Sequence, residues 1–358
     1  LFKYQPPSGF LALCEDNLPT PAIKNPGEHF KTVLWTGDGN SGRSITGVGF
    51  QPDLVWVKER TSTSGHHLYD SVRGPLKYLV SSGTNAENEV STHLSSFDSD
   101  GWSMGSSGGI NELSQNYVAW CWKAGGPAVS NTDGDVTSQV SVNEEAGFSI
   151  VSFTTPSSGN GFSIGHGLSK APEVILMKNR DYANNWDVYH HKNGSDPEQY
   201  RLILNSNTAR QDQPYLDDTA PTSTVFRTRG NGNWYNGGNN IIAYCWYAIP
   251  GYSAYGCFEG SGQNDGPYIY TGFRPAMIIV KSYSNGGNSY NWFMCDSTRG
   301  PRNNIYQRFQ PNDSTSEVTD SSNVATVDFY NNGFSLMLVR LKPLKSRFKC
   351  SLLFPGVN

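Results

Sequence analysis

The sequence predicts an all-β chain: three tandem modules of β-sandwich or jelly-roll type behind a proline-rich connector. Three observations carry that expectation. A Pro, a short apolar run and a Lys six residues after the Pro occur three times, as Pro52-Asp-Leu-Val-Trp-Val-Lys58, Pro172-Glu-Val-Ile-Leu-Met-Lys178 and Pro275-Ala-Met-Ile-Ile-Val-Lys281. The composition is rich in turn formers and aromatics, with 38 Gly, 20 Pro and 13% aromatic residues, but only 16% charged residues against the roughly 25% of an average globular protein. That balance leaves little material for solvated helical faces. Finally, no segment repeats apolar residues at i, i+3, i+4 and i+7 over three turns, whereas short apolar runs bounded by Gly, Asn, Ser and Pro recur throughout.

Taken in order, residues 1–28 hold Pro6, Pro7, Pro19, Pro21 and Pro26 and read as an extended connector. Module one, 29–128, opens with the strand-like Phe30-Lys-Thr-Val-Leu-Trp-Thr36 and contains the first Pro-to-Lys strand. It then carries Leu68-Tyr-Asp-Ser-Val-Arg-Gly-Pro75, which returns in module three as Met294-Cys-Asp-Ser-Thr-Arg-Gly-Pro301. A tight turn is expected at Phe97-Asp-Ser-Asp-Gly-Trp-Ser103 and again at Phe329-Tyr-Asn-Asn-Gly-Phe-Ser335, with Gly between two strands. Module two, 145–260, begins with the alternating Phe148-Ser-Ile-Val-Ser-Phe153. An Ala-aromatic-Cys-Trp strand closes the first two modules, at Ala119–Trp122 and Ala243–Trp246. Module three, 261–336, is incomplete, because a basic tail, 337–358, stands where its closing strand is expected.

Each module is long enough to bury a core of its own. Cys121 and Cys245 occupy equivalent repeat positions and are read as free thiols in two separate cores. The net charge of −4 argues against a nucleic-acid partner, whose phosphates require a basic face, and no apolar run approaches a helical membrane span. The tail carries five basic and no acidic residues, which leaves the remainder at −9.

Lys58, Lys178 and Lys281 are repeat-structural positions, expected to mark where a buried strand reaches water. Asp70 with Arg73 and Asp296 with Arg299 are expected to form a structural ion pair within the matching turn. Gly105-Ser-Ser-Gly-Gly109 fits the nucleophile-elbow pattern Gly-x-Ser-x-Gly, but it lacks the strand-to-helix setting in an α/β sheet. The pairs His66-His67 and His190-His191 have no Cys or carboxylate at zinc-site spacing, and no metal or cofactor is expected. Asp181, Asp187, Asp217 and Asp218 are not paired by anything in the sequence as a glycosidase requires. One loop, Arg229-Gly-Asn-Gly-Asn-Trp-Tyr-Asn-Gly-Gly-Asn239, sets Trp234, Tyr235 and Asn236 among amides, the chemistry of sugar or protein-surface recognition, or of a hairpin tip folded back on its module.

Together, the Gly-Phe-x-Pro-apolar-Lys, Asp-Ser-x-Arg-Gly-Pro, Phe-x-x-x-Gly-aromatic-Ser and Ala-aromatic elements resemble a repeat found in tail-fibre-like and other virion proteins of bacteriophages, marine ones especially. The resemblance spans residues 9–336. It implies the C-terminal part of a longer, non-enzymatic virion structural protein, assembled in the host cytoplasm, that shapes the particle or attaches it to the host surface. It further implies other virion proteins as partners, self-association as a trimer, and contact with a host-surface glycan. A carbohydrate-binding module of a surface protein is the alternative.

Overall fold

The computed structural model describes residues 22–157, 161–213, 215–229, 237–261, 265–283, 290–319, 325–338 and 349–353. The fold is all-β and its named sheets are antiparallel. Its helical content among the described residues is one turn at Gly108–Asn111 and two short 3-10 turns.

One pairing pattern occurs three times. A central strand (Leu54–Glu59, Val174–Asn179, Met277–Ser282) lies between a hairpin partner (His67–Asp70, Trp186–His190, Phe293–Asp296) and a closing strand (Asn116–Trp122, Asn240–Trp246, Lys349–Leu353). Beyond the closing strand lies an opening strand, Phe30–Thr36, Phe148–Thr154 or Cys257–Glu259. The registers superimpose, with Trp56 opposite Trp120, Leu176 opposite Tyr244, and Ile279 opposite Leu353. A smaller sheet packs over each large one. It comprises Arg43–Ile45, Leu94–Asp98 and Gly101–Met104 in the first unit, Phe162–Gly165 and Val225–Thr228 in the second, and Asp265–Tyr270, Ala325–Tyr330 and Gly333–Leu338 in the third.

The apolar runs of the central strands are continuous because both faces are buried. Strand side chains alternate between faces. Val55 and Val57 therefore enter the sandwich core under the small sheet with Trp102 and Tyr69, while Leu54 and Trp56 turn the other way. There they meet Val174 and Leu176 of the second unit and Met277 and Ile279 of the third, around a residual apolar void of about 40 Å³. The three repeats share this central core. The first and third units bury cores of their own under their small sheets, but each large sheet has a second apolar face that its own small sheet leaves uncovered. Burying the second face adds about 1.5–3 kcal/mol for each large side chain removed from water, and only neighbouring units can supply the cover.

Strand pairing also moves the module boundaries. Val129–Asn131 and Ser138–Asn143 extend the second unit's large sheet, so that unit begins before residue 145. The third begins by Cys257 rather than 261. Its closing strand is present: Lys349–Leu353, from the basic tail, pairs with both Cys257–Glu259 and Met277–Ser282. Strand pairing is a backbone interaction, so the slot is filled without the Ala-aromatic-Cys-Trp sequence. Part of the connector is also structured, since Ile23 is buried in the central core and Pro26–Glu28 makes a 3-10 turn.

The glycine turns form as the sequence indicates. Asp98 pairs with Gly101 and Tyr330 with Gly333. A Cβ on Gly101, at φ 151°, would lie 1.9 Å from the Ile45 carbonyl oxygen, and one on Gly333 would lie 2.2 Å from that of Ile269. The small sheet closes at this corner only without a side chain.

Candidate functional site

The chemistry-bearing residues repeated in sequence converge on the seams where one unit meets the next. Lys58, Lys178 and Lys281 are fully buried, so the chain does not reach water there. Each shares the strand face of the central-core residues two and four positions before it, and that face points at a neighbour. The Lys178 ammonium donates to the carbonyls of Asn179 (2.9 Å), Thr84 of the first unit (3.1 Å) and Tyr182 (3.3 Å). Lys281 donates to Asn207 of the second unit (2.9 Å) and to Tyr290. Lys58 donates to Glu59 (2.7 Å) and lies 5.2 Å from the ring centre of Phe309 in the third unit. Burial pushes the pKa of Lys58 and Lys178 down to about 8 against the opposing pull of nearby carboxylates.

Indole and imidazole groups follow the same direction around the ring. Trp186 of the second unit donates to the Val80 carbonyl of the first (2.9 Å), and Trp292 of the third donates to Ile203 of the second (2.9 Å). His66, at the matching position in the first unit, packs edge-on against Phe309 of the third, with ring centres 5.7 Å apart. The contacts run second to first, third to second and first to third, and so close a ring within one chain.

Asp70 and Arg73 form their ion pair within the turn, as do Asp296 and Arg299 at 2.5 Å. All four residues are buried, and each aspartate also accepts a bond from the next unit. The Tyr244 hydroxyl donates to Asp70 (2.7 Å), and the Trp120 indole donates to Asp296 (3.1 Å). Glu87 binds Arg73 (3.1 Å) and Arg180 of the second unit (2.8 Å). Glu317 binds Arg299 (2.7 Å) and Arg60 of the first unit (2.8 Å). Burial opposes the charge on Arg73, but Asp70, Tyr244 and Glu87 outweigh it and raise its pKa. Burial likewise opposes ionisation of Glu87, yet Arg180 and Arg73 hold its pKa below the usual carboxylate range.

The third seam is built from different groups. His190 stands where the others have Asp70 and Asp296, as its pairing opposite Val174 shows. Arg210 replaces the glutamate and Tyr283 replaces the arginine, with the guanidinium 5.4 Å from the Tyr283 ring centre and 4.1 Å from that of Tyr200. The backbone contact is retained in all three, from Glu87 N to Arg180 O (2.7 Å), Glu317 N to Arg60 O (2.9 Å) and Arg210 N to Tyr283 O (3.2 Å).

The other candidate residues make local contacts within their own units. Ser107, the serine of the Gly-x-Ser-x-Gly pattern, caps the single helical turn by accepting from Gly109 N (3.3 Å). His190 Nδ1 accepts from Lys192 N (3.0 Å), and the His191 ring binds the Tyr255 carbonyl at 2.8 Å. Asp187 pairs with Arg201 (2.8 Å), Asp217 with Arg227 (3.2 Å), and Asp181 accepts from Asn240 N (2.6 Å). Asp218 stands in the turn after Leu216, at φ 47°. Among the described residues no group of three or more His, Cys, Asp or Glu is placed to hold a metal ion. Cys121, Cys245 and Cys295 are free and buried, and burial pushes each thiol pKa up. The loop residues Trp234, Tyr235 and Asn236 lie outside the described residues.

The seam groups Arg60, Arg180, Glu87, Glu317, Trp120 and Tyr244 were not singled out from sequence, although a signal exists. Arg60 and Arg180 both stand two residues after a repeat lysine.

Residues 25–342 match the model of a family described as a domain of unknown function (DUF7483), and the chain belongs to that family. No curated protein matches it.

Proposed function

We propose that this DUF7483 member is a non-enzymatic structural module of a phage-type virion, a fibre or appendage component that shapes the particle or holds it to a host surface. The observation that carries this reading is the closed ring. The repeated lysines, arginines and acids, which elsewhere supply binding or catalytic chemistry, are buried here in cohesion between units. Such a body resists proteolysis and mechanical opening, because no single unit can leave without uncovering buried cations and half of a shared core. The phage-type setting rests on the resemblance of the repeat landmarks. Partner virion proteins and self-association belong to the same reading. Because a threefold arrangement already exists inside one chain, an assembly would be made of whole rings.

The test is location. An antibody raised against the purified chain should label particles released from a host carrying the gene, and mass spectrometry of density-purified particles should recover the chain. Absence from purified particles, with the protein abundant in the lysate, would overturn the proposal.

A lectin-like role is the second reading. The observation that favours it is an exposed tyrosine face on the third unit.

A further inference from the structure

We propose that the outer face of the third unit's small sheet, built on Tyr268, Tyr270 and Tyr330, is a binding site for a neutral pyranose sugar. The inference deepens the lectin-like reading and is independent of the scaffold reading. The three tyrosines are 49%, 71% and 38% exposed and are the large exposed aromatics of this sheet. Tyr268 and Tyr270 alternate onto one strand face, and Tyr330 reaches the same face through Gly333, which pairs with both Tyr270 and Tyr330. The Tyr268 and Tyr330 ring centres are 5.7 Å apart at 58°. A Cβ on Gly333 would lie 2.7 Å from the Tyr268 hydroxyl, so the missing side chain lets that ring lean across the sheet.

The fold does not require these rings, and the molecule contains its own control. Ile269 lies opposite Phe334 as Ile45 lies opposite Trp102, which aligns Tyr268 with Ser44, Tyr270 with Thr46, and Tyr330 with Asp98. The first unit builds the same sheet face from small polar residues and stands folded. Three tyrosines on the third unit are therefore surplus to packing, and surplus exposed aromatics mark recognition surfaces.

The surroundings select the ligand. The Tyr268 hydroxyl donates to Asn332 Oδ1 (2.5 Å), and the Tyr330 hydroxyl lies 3.3 Å from Ser335 Oγ and 3.5 Å from an Asp328 oxygen. Ring faces that stack on C–H surfaces, edged by amide, hydroxyl and carboxylate groups, match a saccharide with its apolar face and its rim of hydroxyls. Among the described residues, the charged group within hydrogen-bond reach of these hydroxyls is the Asp328 carboxylate, which disfavours acidic sugars. The three rings by themselves are small for a protein partner or a second copy. At about 150–250 Å² per aromatic side chain, the exposed fractions amount to at most about 400 Å², half of the ~800 Å² per partner in a stable protein interface.

The test uses the full chain on an array of neutral and acidic glycans, followed by calorimetric titration with the best neutral oligosaccharide. The comparison variants are Tyr270→Ala, the triple Tyr268→Ser/Tyr270→Thr/Tyr330→Asp, which installs the first unit's residues, and Trp234→Ala. Neutral-sugar binding weakened at least tenfold in both tyrosine variants, at unchanged melting temperature, is the expected result. Binding that survives the triple variant but is lost with Trp234→Ala keeps the lectin-like reading and overturns this site. No binding to any glycan overturns both. A concentration-dependent dimer abolished by the triple variant assigns the face to self-association and also overturns the proposal.

Discussion

Glu87 of the first unit and Arg180 of the second clasp each other across a seam through two hydrogen bonds, from Arg180 Nη2 to Oε1 (2.8 Å) and Arg180 Nε to Oε2 (2.9 Å). Glu317 and Arg60 repeat the clasp between the third unit and the first, at 2.8 and 3.1 Å. In each case the same carboxylate also neutralises the buried arginine of the Asp-Ser-x-Arg-Gly-Pro turn. One acid thus restrains two cations contributed by two different units.

Removing that acid leaves both guanidinium groups short of a counter-charge. Glu87→Gln should cost about 3 kcal/mol, the penalty for breaking a buried pair from one side. Urea unfolding would measure it. The third seam offers the converse: Arg210→Glu alone should destabilise, while Arg210→Glu with Tyr283→Arg should recover stability by creating the clasp found at the other seams. A double-mutant cycle without favourable coupling would refute the equivalence of the seams.

Lys178 satisfies three carbonyls at once, one of them across a seam. Lys178→Met retains the volume but strands those acceptors, and a loss of about 2–4 kcal/mol is expected from the desolvation left uncompensated. A variant as stable as the parent by thermal melting would show that the ammonium contributes nothing to the ring.

Acid should weaken the first unit through its histidines. Burial, with smaller contributions from His93 and Lys58, pushes His67 from 6.5 down to about 3, and burial pushes His93 down to about 4. His66 is held well below 6.5, again chiefly by burial. The folded state therefore resists protonation that the unfolded chain accepts. Stability from these rings is complete above pH 6.5 and declines as pH falls towards 4, by about 2 kcal/mol per ring between pH 6.5 and 5. Melting temperature measured from pH 7.5 to 5 checks the slope, and His93→Gln should flatten it.

Of the four cysteines with described side chains, Cys257 is exposed and the other three are buried. In the native protein a thiol reagent should modify Cys257 within minutes, while Cys121, Cys245 and Cys295 react only on unfolding, because a buried thiol with a raised pKa presents little thiolate. Peptide mapping after brief labelling distinguishes them. Rapid labelling of Cys245 would mean that the second unit's sheet opens readily.

The repeated strands were legible because spacing and apolar runs are local properties. Pro52 to Lys58 announces a strand buried on both faces, and Phe97 to Ser103 announces its turn. The ring was less legible, because a residue such as Trp120 or Tyr244 reads as core whichever unit it touches. The repeat lysines misled for a related reason. Lys at a strand end ordinarily snorkels to water, and nothing near Lys178 in sequence reveals that Thr84, 94 residues earlier, supplies a carbonyl. The Lys349–Leu353 strand was hidden by its composition, since the backbone bonds that place it leave no side-chain signature. The tyrosine face was visible in principle from aligning Tyr268 with Ser44, but that alignment requires the registers of both small sheets.

Three copies joined in one chain also differ from three identical chains in valency. A homotrimer must display every surface feature three times, and avidity follows from geometry. Here the copies have diverged, with His190 where the others place aspartate and, among the described residues, exposed tyrosines on one outer sheet in three. With the proposed tyrosine site on one unit alone, each molecule would bind as a single-site body of threefold construction, and strong adhesion would come from the number of whole chains gathered in one place.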